Sequence, residues 1–188
     1  AKNGTSLVFL HGFGKTEPAV VKALTGMEFA AEESGICDLA MEGSGIGWQD
    51  ACWGTQLANP ATYVTGGGRE LAVYTAGVLA GKTAAAAGEA DGRRTFFVGA
   101  TELSAQAVRE LCRMGGAHIW CESDDTFFAG NGIIALHTAL TEGVRTVKLP
   151  APKALVAWPS GERLFTDTLT VPTGALTGLW IEEERYGE

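Results

Sequence analysis

Cationic side chains are scarce in this sequence: 14 Lys and Arg stand against 22 Asp and Glu, for a net charge of −8 over 188 residues. A broadly basic face is excluded, and with it nucleic-acid binding through phosphate neutralisation. Cys37, Cys52, Cys112 and Cys121 form no C-x-x-C pair, and His11, His118 and His137 are scattered. That spacing encodes no zinc site, so neither a metal nor another cofactor is expected. Cys112 falls on the apolar face of a predicted helix and Cys121 in a predicted strand, both suited to buried free thiols. Long apolar runs are missing as well. The most apolar window, Leu71 to Ala80, is about half of what a membrane span needs, and no charged n-region with a cleavage site precedes an apolar stretch. A soluble chain without a membrane partner is expected, with a cytoplasmic location favoured. An initiator Met is absent too, which points to a fragment of something longer.

Glycine and apolar residues are what the chain has in quantity. Its 26 glycines are about 14% of the residues, roughly twice the usual share. They lack the three-residue period of collagen, and the 46% hydrophobic content is too high for a disordered tract. Many tight turns between short elements follow. The length suits one ordinary domain or two small ones.

Ser6 to Leu10 is a continuous apolar run between glycines, which predicts a strand buried on both faces of a helix-covered parallel sheet. Thr16 is placed to cap a helix with Glu17 and Pro18 in its first turn, Val20, Val21 and Leu24 on one face, and Gly26 as its stop. Residues 37–68 are broken by Gly43, Gly45, Gly47, Gly54 and Gly66 to Gly68 and show no period. Leu71 to Tyr74 predicts a strand, and Ala84 to Ala87 a short helix or a loop. Thr95 to Val98 predicts another strand, followed by a helix capped by Ser104, carrying Ala107, Val108, Leu111 and Cys112, and closed by Gly115-Gly116. His118 to Cys121 reads as a further strand, and a strand–helix–strand of this length implies parallel pairing by a right-handed crossover.

After residue 122 the helical period disappears. Short strand candidates at 127–128, 133–137, 144–149, 154–158, 163–165, 168–171 and 176–181 are punctuated by Gly and Pro at the spacing of an antiparallel sandwich. The expected fold class is therefore α/β followed by all-β: a partial parallel-sheet α/β layer over 1–122 and a C-terminal antiparallel β-sandwich over 123–188.

Four motifs bear on chemistry. His11-Gly12-Phe13-Gly14 after an apolar strand is similar to the oxyanion loop of α/β-hydrolases, but that fold also needs a G-x-S-x-G elbow, and the nearest text, Glu42-Gly43-Ser44-Gly45-Ile46, lacks Gly at position 42 and has no strand before it. Gly14-Lys15-Thr16 matches the end of a phosphate-binding loop, yet the first glycine of that motif would fall on Phe9. Glu122, Asp124 and Asp125 cluster after a predicted strand; paired carboxylates serve glycoside hydrolysis, and the same residues also suit a solvated turn. Trp48 and Trp53 flank a Gly-rich loop with Asp50 between them. Such an aromatic platform beside a carboxylate can hold a sugar, anchor an interface or pin the loop to a core.

Several segments together carry a resemblance. The run Gly4 to Gly14, a short helix and Leu24-Thr25-Gly26-Met27-Glu28-Phe29 resemble the post-barrel part of β-galactosidase-type glycoside hydrolases. So do Phe97-Val98-Gly99-Ala100, the helix from Leu103 to Gly116, Ala117 to Cys121 and the run Asp124 to His137. The segment from Thr146-Val147-Lys148-Leu149-Pro150 onward is similar to the small β-sandwich that ends such enzymes. The resemblance implies an amidotransferase-like trimerisation domain followed by that sandwich, without the catalytic (β/α)₈ barrel and without amidotransferase Cys-His-Glu chemistry. It also implies a role in assembly at the border of a neighbour's active site.

The leading expectation is a non-catalytic accessory region of a carbohydrate-active glycoside hydrolase. Its partners would be the catalytic barrel of the same parent chain or a neighbouring subunit, with a saccharide as a further possible contact and no nucleic acid. No catalytic residue is assigned. The sugar-contact candidates are Trp48, Asp50, Trp53, Glu122, Asp124 and Asp125. The rival expectations are a carbohydrate-binding module built on Trp48 and Trp53, and a small serine hydrolase using Ser44 with His11 or His137.

Overall fold

A computed structural model describes residues 5–43, 57–138, 143–172 and 177–185. The chain forms two compact units, Ala1–Ala117 and His118–Glu188.

Among the described residues the first unit forms a seven-stranded mixed sheet with a helix on each face. Its strands are β1 (Leu7–Leu10), β2 (Glu28–Glu32), β4 (Met41–Gly43), β6 (Ala61–Gly66), β7 (Arg69–Tyr74), β8 (Thr83–Ala90) and β9 (Arg93–Val98), and a two-stranded ribbon of β3 (Cys37–Asp38) and β5 (Leu57–Ala58) lies beside it. The sheet runs β1-β9-β8-β6-β2, with β7 pairing β8 and β4. Helix α1 (Pro18–Thr25) follows β1 and helix α2 (Ala105–Gly115) follows β9. Side-chain alternation along β9 explains the layering. Phe97 joins Met27, Val64 and Ala86 under α1, while Phe96 and Val98 join Leu71, Tyr74, Ala107 and Leu111 under α2.

The α/β reading of this half holds, with local departures. Among the described residues only β1 and β9 pair in parallel; the other pairings are antiparallel. The cause lies in the turns. Asp91 and Gly92 both take positive φ, 51° and 69°, which makes the tight connection that joins adjacent antiparallel strands. Ala84 to Ala87 is neither helix nor loop but the centre of β8, where Ala84, Ala85 and Ala86 are fully buried between neighbouring strands. Packing there overrides the helix preference of alanine. Strand β1 is an edge rather than a doubly covered strand: it pairs with β9 alone among the described residues, and Val8 and Leu10 are 44% and 42% exposed. At α1 the cap position is Glu17 rather than Thr16, with Pro18 at the helix start and no side-chain cap bond; Thr16 belongs to the preceding turn, where its N–H donates to the Phe13 carbonyl at 3.2 Å. Gly26 ends α1 with φ 75°, and a Cβ there would lie 2.1 Å from the Glu89 carbonyl oxygen.

His118 to Cys121 does not return to the first sheet. Gly116 closes α2 with φ 84°, and the segment enters the second unit instead. Cys121 makes a single antiparallel bridge to Val147, Lys148 N–H donates to the Trp120 carbonyl at 2.8 Å, and the Trp120 ring lies 5.8 Å from Phe127. The apolar run fills a different core from the one its spacing suggested.

The second unit is all antiparallel: β10 (Thr126–Gly130), β11 (Ile133–His137), β12 (Arg145–Trp158), β13 (Arg163–Val171) and β14 (Thr177–Glu182), in the order β10-β11-β14-β12-β13. The four strand candidates between 144 and 171 merge into the long hairpin β12–β13. Its register shifts between Lys148 and Lys153, across Pro150 and Pro152, where proline removes ladder donors. Val147 before the shift, Leu149 within it and Leu155 after it share one core with Ile134, Leu136, Leu169, Val171 and Trp180. The hairpin folds over itself and supplies both layers of a small sandwich.

Cys37 is buried and Cys112 and Cys121 are part-buried, all three as free thiols. Cys52 lies outside the described residues.

Candidate functional site

The acidic turn opens the second unit. Ser123, Asp124 and Asp125 precede β10, and the side chains divide: Glu122 and Asp124 are exposed, whereas the Asp125 side chain is 8% exposed. Asp125 Oδ2 accepts from Arg145 Nε at 2.8 Å and from Ser123 Oγ at 2.5 Å, and Ser123 Oγ lies 3.0 Å from Cys121 Sγ. Burial alone would raise the Asp125 pKa. Hydrogen bonds from Ser123 and Thr138 and the charge of Arg145 outweigh it and hold the carboxyl below its ordinary value. Asp125 thus ties the turn to β12, and the turn presents Glu122 and Asp124 outward.

Trp48, Asp50 and Trp53 lie outside the described residues, and so does Ser44. His137 Nδ1 is 3.0 Å from Thr177 Oγ1, and His118 Nε2 is 2.7 Å from the Lys148 carbonyl. His11 takes φ 68°, its N–H donates to the Val98 carbonyl at 2.9 Å, and its Nδ1 is buried without a hydrogen-bond partner.

One cleft escapes residue-by-residue reading. The loop after the carboxyl end of β1, the outer turns of α1, and strands β2 and β6 enclose about 510 Å³. Its floor is aromatic: the Phe13 and Phe29 centroids are 4.7 Å apart, and Phe29 meets Phe97 edge-on at 4.8 Å. Thr16, Thr62 and Thr65 supply hydroxyls to its lining. Lys22 Nζ donates to Glu28 Oε1 at 2.5 Å at the rim, and this hydrogen bond and charge keep the Glu28 carboxyl below its ordinary value. Gly12 permits the close approach of loop and sheet, since a Cβ there would stand 2.7 Å from Thr62 Oγ1. The available signal was positional. The His11 to Gly14 run leaves the carboxyl end of a parallel strand, where α/β folds place ligands. Chemically the cleft suits a flat apolar group with polar edges.

No protein-family model and no curated protein matches the sequence. Solved structures do match. A GH42 β-galactosidase from G. stearothermophilus superposes with a TM-score of 0.55 at 12% identity, over 96% of this chain and 28% of that one. A β-galactosidase from Rahnella sp. R3 gives 0.53 at 18% identity, over 94% of this chain and 28% of that one. A β-galactosidase from Bacillus circulans sp. alkalophilus gives 0.50 at 13% identity, over 94% and 29%. The chain therefore spans less than a third of the length of the structures it matches, and it has the fold of that part of those β-galactosidases.

Proposed function

We propose that this chain is a non-catalytic accessory and assembly region of a glycoside hydrolase of β-galactosidase type, packing against a catalytic barrel or a neighbouring subunit. One observation carries the reading: nearly all of this chain, but less than a third of each matched chain, enters the superposition. The amidotransferase-like character of the first unit, its part in oligomerisation and a cytoplasmic location belong to the same proposal.

A second reading is favoured by the acidic turn. Asp125 is fixed by Arg145 and leaves Glu122 and Asp124 displayed to solvent. Two outward carboxylates on a pinned turn are suited to accepting sugar hydroxyls, with Trp48, Asp50 and Trp53 as the remaining candidates for a saccharide contact.

One experiment separates the two. The purified chain is incubated with a nitrophenyl β-galactoside and titrated calorimetrically with galactose and a β-1,4-galactan. The accessory reading expects no turnover and no heat. Heat with a saccharide that disappears in the Glu122→Gln/Asp124→Asn variant supports the sugar contact. Turnover by the chain alone would overturn the non-catalytic assignment.

A further inference from the structure

The cleft beyond the carboxyl end of β1 has the build of a small-molecule site. Four phenylalanines fix its floor. Phe13 lies 5.4 Å from Phe9, 4.7 Å from Phe29 and 5.8 Å from Phe97, which is fully buried. Phe13 and Phe29 are only part-buried, and their ring planes meet at 59°. They form the two walls of a wedge in which a third ring can stack on one and meet the other edge-on. Register sets Phe29 and Ala31 of β2 beside Val64 and Thr62 of β6, so a hydroxyl borders the aromatic wall. The polar groups are few and unspent. Thr16, Thr62 and Thr65 line the cleft, and among the described residues no hydrogen bond occupies their side-chain hydroxyls. Lys22 and Glu28, the charged residues of the described lining, are bonded to each other.

We propose that this cleft binds a small uncharged aromatic molecule carrying hydroxyl or carbonyl groups on its ring edge. Its volume of about 510 Å³ falls within the roughly 300–1,000 Å³ of small-ligand sites. Charge selects a neutral ligand. An anion would meet a lysine already neutralised by Glu28, with the carboxylate of Glu17 at the start of α1. Polarity selects an aromatic one. A monosaccharide carries a hydroxyl on nearly every ring carbon, and three threonines with one engaged carboxylate would leave most of them unpaired. An apolar side chain from a protein partner fails for the converse reason, since it would cover the three threonine hydroxyls without bonding them. A ring with one or two polar substituents suits both the phenylalanine wedge and the hydroxyls. The fixed packing of Phe13 against Phe9 and Phe97 leaves little to be ordered on binding. The inference stands on this cleft alone and does not need the accessory role to be right.

The probe is 4-hydroxybenzamide, uncharged at neutral pH, titrated into the purified chain by calorimetry and followed by saturation-transfer NMR. Saturable binding with a Kd below about 1 mM is expected. Ala31→Trp, at an exposed position of the lining, fills the cleft and should weaken binding at least about tenfold. Thr62→Val with Thr65→Val keeps the shape and removes two hydroxyls. It should weaken the probe by about tenfold and leave the binding of toluene unchanged. Val108→Lys on the exposed side of α2 should alter neither. Circular dichroism and thermal melting of each variant show that it is folded. No saturable binding up to about 10 mM overturns the proposal, and so does binding indifferent to both lining variants. Toluene bound as tightly as the probe would reduce the cleft to an unselective apolar groove and overturn it. Heat with galactose that Ala31→Trp abolishes would assign the cleft to a sugar and overturn it equally. Turnover of a β-galactoside plays no part in this readout, so a failure here leaves the accessory role untouched.

Discussion

At the scale of single residues, Asp125 decides the most. Its carboxylate is nearly buried and meets Arg145, whose side chain is 16% exposed. Removing one partner of such a pair leaves a charge without its counterpart in a poorly solvated place. Asp125→Asn is expected to cost about 3 kcal/mol, the low end for breaking a buried pair, read from urea unfolding of the second unit. The folded carboxyl ionises at lower pH than in the unfolded chain, whose value lies near 3.8. Its contribution is therefore complete above about pH 5 and fades as the pH falls through the folded pKa. Wild type should lose stability below about pH 4, and Asp125→Asn should lack that part of the loss. A variant with the same acid profile as wild type would remove Asp125 from the account. Gly99 marks a different constraint. A Cβ there would stand 1.7 Å from the Tyr74 hydroxyl, which donates to the Thr62 carbonyl at 2.8 Å.

Elements show where sequence patterns succeed. Ser104 caps α2 by accepting from the Ala107 N–H at 3.2 Å, and Gly116 closes it in the left-handed region. Ser104→Ala should destabilise the first unit by about 1 kcal/mol, measured as a lower urea midpoint with an unchanged slope; no shift would show that the cap is dispensable. Both ends of α2 were legible because capping is local chemistry. Strand β11 was legible for the same kind of reason: Asn131-Gly132 turns the chain with φ 50° and 75°, and the apolar run Ile133 to Leu136 follows. Asp91-Gly92 carries an equal signal, and with it the antiparallel β8–β9 hairpin was open to reading. The misread segments depend on distant partners. Ala84 to Ala87 is a strand because β7 and β9 flank it, and His118 to Cys121 packs with Phe127 and Val147. The cleft was illegible because four elements must converge before Phe13 and Phe29 face one space. Glu122, Asp124 and Asp125 were visible as a group, but the inward turn of Asp125 depends on Arg145, twenty residues away.

At the scale of the whole molecule, two units with separate cores set the expectation for unfolding. Each has its own apolar clusters, and a chain of more than one domain need not unfold in one step. Calorimetry should resolve two transitions. Ser104→Ala should lower only one of them, and Asp125→Asn only the other. A single transition moved by both variants would show that the units unfold as one body.

The doubled-over hairpin β12–β13 has a practical consequence for anyone who would rebuild this protein. Its tip, Pro159 to Gly161, is exposed, so a peptide or a dye-bearing sequence grafted at Ser160 would sit clear of the core, where insertions are tolerated. The fold-back at Pro150 to Pro152 has the opposite character. Val147 and Leu149 on one side of it and Leu155 on the other close the same interior, so a chain break there would sever the two walls of the sandwich from each other. The hairpin is at once the best handle on this unit and its spine.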